Sequence, residues 1–346
     1  MTRTPLSSSF LGSILALGLV LWFAPASAGD WKGAVTVGID YQGWTDLDDP
    51  NGEFDFIHPS VSGKAAKRLG EDSRWGVALV GEYRAFAYRF DGLAAGDVWD
   101  DIHVVRLAPR LIFAVNEKWS LFGGPVGEFS GEGGTEFGDA IRGGALVGAQ
   151  WRPNDRLSIG LGVLGMNKLA DDLLLQPVVI IEWKITDALT FATQSWTSRG
   201  GTLEFSYAFD GGWETSIAGG RERERFRLDS NLPAIGEGVG EENSLPITFA
   251  VAKNLDNGMR VEIYGGAVLN GELRVEDETG DKVAVSDFDR SWFLGGALTV
   301  PFYRGGVHGH GSDGWSSRRA RAKDRPNRRG LLDLSLIHIS EPTRPY

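Results

Sequence analysis

Residues 141–152 read Ile-Arg-Gly-Gly-Ala-Leu-Val-Gly-Ala-Gln-Trp-Arg, and every second residue from Ile141 to Trp151 is apolar or glycine. Arg142, Gln150 and Arg152 occupy positions of the other parity. Successive side chains of a β-strand point to opposite faces, so this period of two predicts a strand with one apolar face. No comparable stripe with the period of a helix occurs in the chain.

Fourteen segments of this kind follow one another between Trp31 and Phe302. Short turns such as 116–118 alternate with longer, acidic connections such as 42–53 and 271–289. This alternation in loop length is typical of outer-membrane barrels, whose periplasmic turns are short and whose outer loops are long. We therefore predict an all-β fold over residues 29–302, a single antiparallel up-and-down transmembrane β-barrel of about 14 strands, with 12 or 16 as alternatives.

Tryptophan collects at one end of these segments. Trp75, Trp119, Trp151 and Trp183 each lie beside a short turn, on the apolar face of their segment. Because tryptophan prefers the boundary between membrane and water, this placement predicts an aromatic girdle on the periplasmic side.

The alternating segments, the Asn-Glu-Lys-Trp turn at 116–119 and the aromatic end at Phe302 resemble the Gram-negative outer-membrane β-barrel proteins, and more narrowly an uncharacterised proteobacterial family of them. The resemblance implies a location in the outer membrane, with its lipid and lipopolysaccharide as partners. It also implies that the barrel-assembly machinery recognises the strand ending at Phe302. It supplies no catalytic residues.

The N-terminus has the features of a signal peptide. Arg3 precedes an apolar core at 10–23, and Ala26-Ser-Ala28 offers a cleavage site with small residues. We expect residues 1–28 to be a signal peptide that is cleaved after Ala28.

The C-terminal residues 303–346 differ from the barrel in composition, because nine Lys or Arg stand there against four Asp or Glu and the alternation is lost. Residues 334–344 match a transposase sequencing adapter translated in frame. We interpret 303–346 as a non-native or disordered basic tail and 334–346 as adapter read-through. The alternatives are a functional basic or His-rich tail.

Composition excludes several classes of function. The formal net charge of −11 argues against nucleic-acid binding, which needs a basic surface. The chain has no cysteine, which excludes disulfides, a thiolate nucleophile and cysteine-bound zinc. The sequence indicates no cofactor and no metal site, and it leaves the oligomeric state open.

The face opposite the apolar one would line the lumen, where charges of both signs can select solutes. From this pattern we predict a passive pore or solute-uptake channel with a mixed-charge lumen, and no enzyme. Alternatively, the same charges pair across the lumen and plug it, which would make a non-conducting structural or surface barrel. The candidate pore-lining residues are Glu82, Arg84, Arg106, Arg110, Arg142, Glu182, Lys184, Glu204, Arg260 and Glu262.

Residues 221–227 form the densest run of charges. Alternation places four arginines on one face of this segment, where they form either a ladder for anions or lipopolysaccharide phosphates at the outer rim, or a strand extension with cross-strand pairing. These outer-rim residues are Arg221, Arg223, Arg225 and Arg227.

A third hypothesis is a barrel lipid hydrolase. His58 and Ser60 share one strand face, which resembles the His-x-Ser arrangement of barrel phospholipases and lipid A deacylases. A base beside a hydroxyl can activate it as a nucleophile. The chain departs from that pattern after Ser60, where Val-Ser-Gly follows at 61–63 in place of Asn-Gly.

Overall fold

The structure is a computed structural model that describes residues 31–48, 52–70, 72–93, 98–167, 169, 173–197, 200–229 and 238–304. The expected signal peptide 1–28, its cleavage after Ala28 and the tail from 305 to 346, with the adapter-like 334–346, lie outside these residues. The strands are β1 (Trp31–Leu47), β2 (Gly52–Arg68), β3 (Trp75–Asp91), β4 (Ile102–Ala114), β5 (Trp119–Glu132), β6 (Ile141–Asn154), β7 (Leu157–Asn167), β8 (Leu173–Lys184), β9 (Leu189–Thr197), β10 (Gly200–Ala208), β11 (Trp213–Arg227), β12 (Val239–Asn254), β13 (Arg260–Glu276) and β14 (Lys282–Arg304).

The fourteen strands form one closed antiparallel barrel in which each strand pairs with its neighbours in sequence. β14 returns to pair with β1, so that Gly33 lies opposite Phe302 and Trp31 opposite Arg304. Closure gives every strand two partners, which leaves no sheet edge exposed. The predicted all-β barrel and its strand number are confirmed. No helix among the described residues is long and apolar enough to cross a membrane.

The outer surface of the barrel is apolar. The side chains with the predicted outward parity are exposed, and Val147, Leu161 and Ile263 each exceed 60% exposure. At the end with the short turns, exposed tryptophans form the predicted girdle, and the rings of Trp119 and Trp151 stack with centroids 6.2 Å apart. We call this the girdle end and the opposite one the loop end.

The predicted long connections 42–53 and 271–289 are largely strand. β1 runs on to Leu47, and β13 and β14 form a tall hairpin that turns only at 277–281. The sequence predicts loops there because both stretches are long and acidic, and a bulge in each strand also interrupts the alternation. The register of β1 against β2 shifts between Gln42 and Thr45, and Asn270 of β13 has a positive φ of 48°. A β-bulge inserts one residue and so exchanges the two faces beyond it.

The wall narrows towards the loop end. β5 extends beyond its last pair with β6, and one parallel bridge joins its Gly131 to Arg227 of β11. The hydroxyl of Ser130 also donates to the carbonyl of Arg225 at 2.8 Å. β11 therefore meets β5 beyond the loop-end termini of β6–β10. From that point to the loop end, the barrel wall consists of nine strands, β1–β5 and β11–β14.

Two apolar cores lie inside the barrel. The loop-end core fills the narrowed part and contains Leu47, Phe54, Phe56, Phe86, Tyr88, Trp99, Ile102, Val104, Phe226, Leu228, Val268, Leu273, Val275 and Phe288. The girdle-end core lines the inner wall of β2–β8 and contains Ala66, Ala78, Ile112, Phe122, Leu146, Leu164 and Val178. The sequence predicts charged residues on the inward face and does not predict either apolar core.

Candidate functional site

Between the two cores, six charged side chains form a layer across the lumen. Glu224 of β11 accepts hydrogen bonds from Arg84 of β3 at 2.6 Å and from Arg106 of β4 at 2.7 Å. Because β3 and β11 stand on opposite walls, these bonds span the interior. We call the whole group the ionic layer; it comprises Arg84, Arg106, Arg142, Glu82, Glu128 and Glu224.

Register explains why these residues meet. Arg106 lies opposite Glu82 on β3 and opposite Glu128 on β5, and Glu128 lies opposite Arg142 on β6. Four inward charges of alternating sign thus form one row, in which Glu128 bonds with both arginines. All members except Glu82 are nearly buried, and the three positive and three negative charges balance. Buried charges need such pairing, since isolated ones are strongly disfavoured by desolvation.

The loop-end core lies inside the barrel beyond the ionic layer. Trp99 is 2% exposed, and its ring meets those of Tyr88, Phe90 and Phe226 edge to face, with centroids 5.0–5.6 Å apart. Arg227 adds a polar clasp, because its guanidinium donates to the carbonyls of Asp139 at 3.2 Å and Leu169 at 2.6 Å. Aromatic side chains and the clasp therefore occupy the interior of the loop end among the described residues.

A cavity of about 210 Å³ remains between the ionic layer and the opposite wall. Its walls come from β1–β3 and β10–β14, and we call it the central cavity. Its lining residues are Asp40, Gln42, Phe56, His58, Phe86, Thr202, Glu222, Glu224, Glu242, Ser244, Pro246, Thr248, Tyr264, Val268 and Phe293.

His58 lines one side of the central cavity. Its Nδ1 lies 3.2 Å from Oδ2 of Asp40, and Oδ1 of that carboxylate accepts a hydrogen bond from the hydroxyl of Tyr264 at 3.1 Å. The imidazole stacks on Phe86 with centroids 4.3 Å apart. Nε2 of His58 is buried and has no hydrogen-bond partner, so the structure shows no bond between this base and Ser60. The hydrolase hypothesis gains an orienting carboxylate in Asp40 and lacks the contact that would activate a nucleophile.

The other predicted pore-lining residues lie apart from the ionic layer. Arg260 and Glu262 of β13 pair at 2.7 Å, and Arg260 also reaches Glu214 of β11 at 2.9 Å. The remaining four are distributed over the wall, and their role in a pore stays a prediction. They are Arg110 on β4, Glu182 and Lys184 on β8, and Glu204 on β10.

The four outer-rim arginines make cross-strand contacts. Arg221 donates to the side-chain oxygen of Asn243 at 2.9 Å, and Arg223 donates twice to Glu241 at 2.7 Å. Arg225 is buried and pairs with Glu241 at 3.0 Å and with Glu276 at 2.6 Å. Arg227 is the clasp described above. These contacts correspond to the strand-extension interpretation, and anion binding at the rim stays a prediction.

The pore-lining residues predicted from the sequence did not include the two carboxylates that complete the ionic layer. Glu128 and Glu224 have the inward parity of their strands, which was a usable signal. That Glu224 meets Arg84 depends on β11 crossing to β5, and no local pattern records this contact.

No family model and no curated protein sequence matches this chain. Among solved structures, it is similar to an outer membrane channel from Pseudomonas putida F1, with 10% identity, a TM-score of 0.44, and coverage of 80% of this chain and 99% of that one. It is also similar to a Pseudomonas aeruginosa FadL homologue, with 12% identity, a TM-score of 0.43, and coverage of 80% and 90%. The Pseudomonas putida toluene transporter TodX is 10% identical, with a TM-score of 0.36 and coverage of 82% and 92%.

A closed antiparallel barrel with an apolar outer surface and a tryptophan girdle is the fold of Gram-negative outer-membrane β-barrel proteins. The chain has this fold, as its sequence predicted.

Proposed function

We propose that this protein is an outer-membrane channel that holds its solute in the central cavity and is closed at the loop end in the present conformation. The observation that supports this most directly is the central cavity itself, which is enclosed by a barrel with an apolar exterior. A barrel that served only as a structural element would have no need of an interior space lined by both charges and aromatic rings.

The closure argues for a gated channel and against an open passive pore. The clasp of Arg227 ends on two loop carbonyls, and β11 is held on β5 by the bridge at Gly131 and by hydrogen bonds of Ser130, Thr135 and Glu132. A gate at this place would open by breaking these polar contacts locally, while the rest of the barrel stays folded. The loop end would open where β11 meets β5.

Single-channel conductance in planar bilayers tests this function. The full-length chain, exported by a Gram-negative host and extracted in detergent, should give small and infrequent current steps. Phe226→Ala removes a ring from the loop-end core and should increase step size and frequency, and Phe226→Leu should do so less. Phe249→Ala is the matched control, because Phe249 is 56% exposed on the outer surface of β12. Heat-modifiable gel mobility reports that each variant is folded.

Folded protein that gives no steps in the native form and in both Phe226 variants would exclude the channel. That result would favour the second candidate, a non-conducting structural or surface barrel. The ionic layer favours this alternative, because its three arginines and three glutamates cross-link opposite walls.

We also propose an outer-membrane location, with the loop end facing outwards. There the exposed guanidinium of Arg221 and the half-exposed one of Arg223 are available to lipopolysaccharide phosphates. Phe302 would be the residue that the barrel-assembly machinery recognises.

A further inference from the structure

The four carboxylates of the central cavity have partners within the protein. Glu224 accepts hydrogen bonds from two arginines of the ionic layer, and Glu242 accepts one from the hydroxyl of Tyr88. Asp40 contacts an imidazole and accepts from a tyrosine hydroxyl, and Glu222 is also engaged. The groups that a ligand can complete are therefore found among the other polar side chains of the lining.

Two side chains of the lining have a buried nitrogen without a hydrogen-bond partner among the described residues. Gln42 is 3% exposed, and its unpaired amide Nε2 is a donor; the buried Nε2 of His58 is unpaired as well. Nδ1 of His58 lies against the carboxylate of Asp40, which only accepts, so Nδ1 carries the proton of the neutral imidazole and Nε2 is an acceptor. Buried polar atoms are ordinarily paired, because leaving one unsatisfied costs free energy.

The strand register places this donor and this acceptor side by side. In the pairing of β1 with β2, Asp40 lies opposite His58 and Gln42 lies opposite Phe56, so Gln42 and His58 are diagonal neighbours. Such neighbours are about 7–8 Å apart, which is within the reach of two long side chains. One ligand atom between them can therefore contact both nitrogens.

Aromatic rings flank the amide on both sides. Gln42 lies opposite Phe56 on β2 and opposite Phe293 on β14, and all three residues line the cavity. An apolar group between these rings gains free energy by leaving water. The cavity of about 210 Å³ is smaller than the roughly 300–1,000 Å³ of sites for drug-sized ligands, so its ligand is small.

A hydroxyl group completes both nitrogens, because it accepts from the amide of Gln42 and donates to Nε2 of His58. An ammonium ion has no lone pair for the amide, and an ether has no proton for the imidazole. A carboxylate also lacks the proton, and it would face the four carboxylates of the cavity. Water has both properties of a hydroxyl, but it leaves the rings of Phe56 and Phe293 without an apolar contact.

We propose that the central cavity binds small neutral alcohols with an apolar body. The hydroxyl lies between Gln42 and His58, and the apolar body lies between Phe56 and Phe293. This inference rests on the proposed channel function and names the class of solute that the channel admits.

The test is isothermal titration calorimetry on the full-length protein in detergent, in its heat-modifiable folded form and at about pH 8, where an ordinary histidine is neutral. The probe is 2-phenylethanol. Its methyl ether, which cannot donate, and 2-phenylethylammonium, which cannot accept, are the matched probes. We expect the alcohol to bind about tenfold more tightly than either, because each of the others leaves one buried nitrogen unpaired. An ether that binds as tightly as the alcohol would overturn the proposal and assign the two nitrogens to water.

Variants locate the binding. Gln42→Leu should weaken binding of the alcohol about tenfold and leave that of the ammonium unchanged, because the ammonium makes no bond to the amide. His58→Phe should weaken binding of the alcohol and leave that of the ether unchanged. Gln176→Leu, the same change on β8 outside the cavity, is the matched control and should bind as the native chain does. An unchanged affinity for the alcohol in Gln42→Leu would overturn the proposal.

Stability distinguishes a ligand-binding amide from a structural one. Gln42→Leu removes a buried group whose Nε2 has no partner among the described residues, so its urea midpoint should equal or exceed the native value. A lower midpoint together with weaker binding would mean that the amide supports the wall, and it would overturn the assignment of Gln42 to the ligand.

Binding and transport are separated by this design. Selective binding of the alcohol in a protein that gives no conductance would refute the channel and leave the ligand site standing. Conductance without any preference for 2-phenylethanol would refute the ligand class and leave the channel standing.

Discussion

Glu224 of β11 and Arg84 of β3 form an ion pair of 2.6 Å across the barrel, although they are 140 residues apart in the chain. Arg84 is 1% exposed and Glu224 is 5% exposed. Both charges are therefore withdrawn from water, and mutual pairing together with the bonds of Arg106 and Glu82 offsets the cost of their burial. This pair ties the strand that closes the loop end to the opposite wall.

We predict that Glu224→Gln destabilises the barrel by about 3 kcal/mol, because it removes the charge that Arg84 and Arg106 share and leaves the buried Arg84 paired with the partly exposed Glu82. The double variant with Arg84→Met should lose less than the sum of the two single variants. Urea unfolding in detergent, followed by tryptophan fluorescence, measures these differences. Additive losses would mean that the pair contributes nothing as a pair.

The apolar exterior predicts how charge is tolerated along one strand. Leu161 is 61% exposed halfway along β7, whereas Leu157 begins that strand and pairs with the girdle residue Trp183. Leu161→Arg should cost about 2–4 kcal/mol in a bilayer, and Leu157→Arg about 0–1 kcal/mol, because the penalty falls from the midplane to the interface. Refolding equilibria in phospholipid vesicles measure both, and equal costs would argue against a bilayer centred at Leu161.

The sequence was informative where structure repeats locally. In β6, the alternation from Ile141 to Trp151 predicted which side chains face outwards, and Val147 is 61% exposed as expected. The pairing of β1 with β14 followed from closure of an even number of strands. Each of these inferences needs only the period of two and the requirement that no sheet edge be left open.

The interior could not be predicted in the same way. The bulges near Gln42 and at Asn270 reverse the faces of β1 and β13, and neither site has a sequence feature that separates a bulge from a turn. The cavity carboxylate Asp40 lies opposite His58 because β1 and β2 pair beyond Gln42 as far as Leu47 and Gly52, whereas the sequence predicted a loop over 42–53 and so did not define the register of the two strands. The contact of Gly131 with Arg227 is formed by strands six apart in order, so no local pattern encodes it.

β12 approaches β13 so closely at Gly266 that this position has no room for a side chain. A Cβ added to Gly266 would overlap the carbonyl oxygen of Ile247 and press on the ring of Phe293, whereas one added to Gly127 would meet nothing within 4 Å. Gly266→Ala should therefore destabilise the fold by about 1–3 kcal/mol through overpacking, and Gly127→Ala should be close to neutral. Urea midpoints of the two variants test this contrast, and a neutral Gly266→Ala would show that β12 and β13 can separate without cost.

The turn between β13 and β14 lies outside the barrel wall and contains a carboxylate, Asp277, whose pKa is lowered by hydrogen bonds. The hydroxyl of Thr279 donates to the carboxylate of Asp277 at 2.7 Å, and the backbone amides of Thr279 and Asp281 add to it at 2.9 and 3.0 Å. These bonds, with the Thr279 hydroxyl foremost, lower the pKa of Asp277 below its ordinary 3.8. Because the pKa is lowered, the carboxylate stabilises the turn fully at pH values above the ordinary pKa, and this stabilisation is lost as the pH falls through the lowered pKa.

Thr279→Val should raise the pKa of Asp277 towards 3.8, and Thr279→Ser, which keeps the hydroxyl, should leave it low. Carboxyl ¹³C shifts of Asp277, titrated by NMR in detergent, report the pKa, and an unchanged value in Thr279→Val would assign the whole effect to the backbone amides.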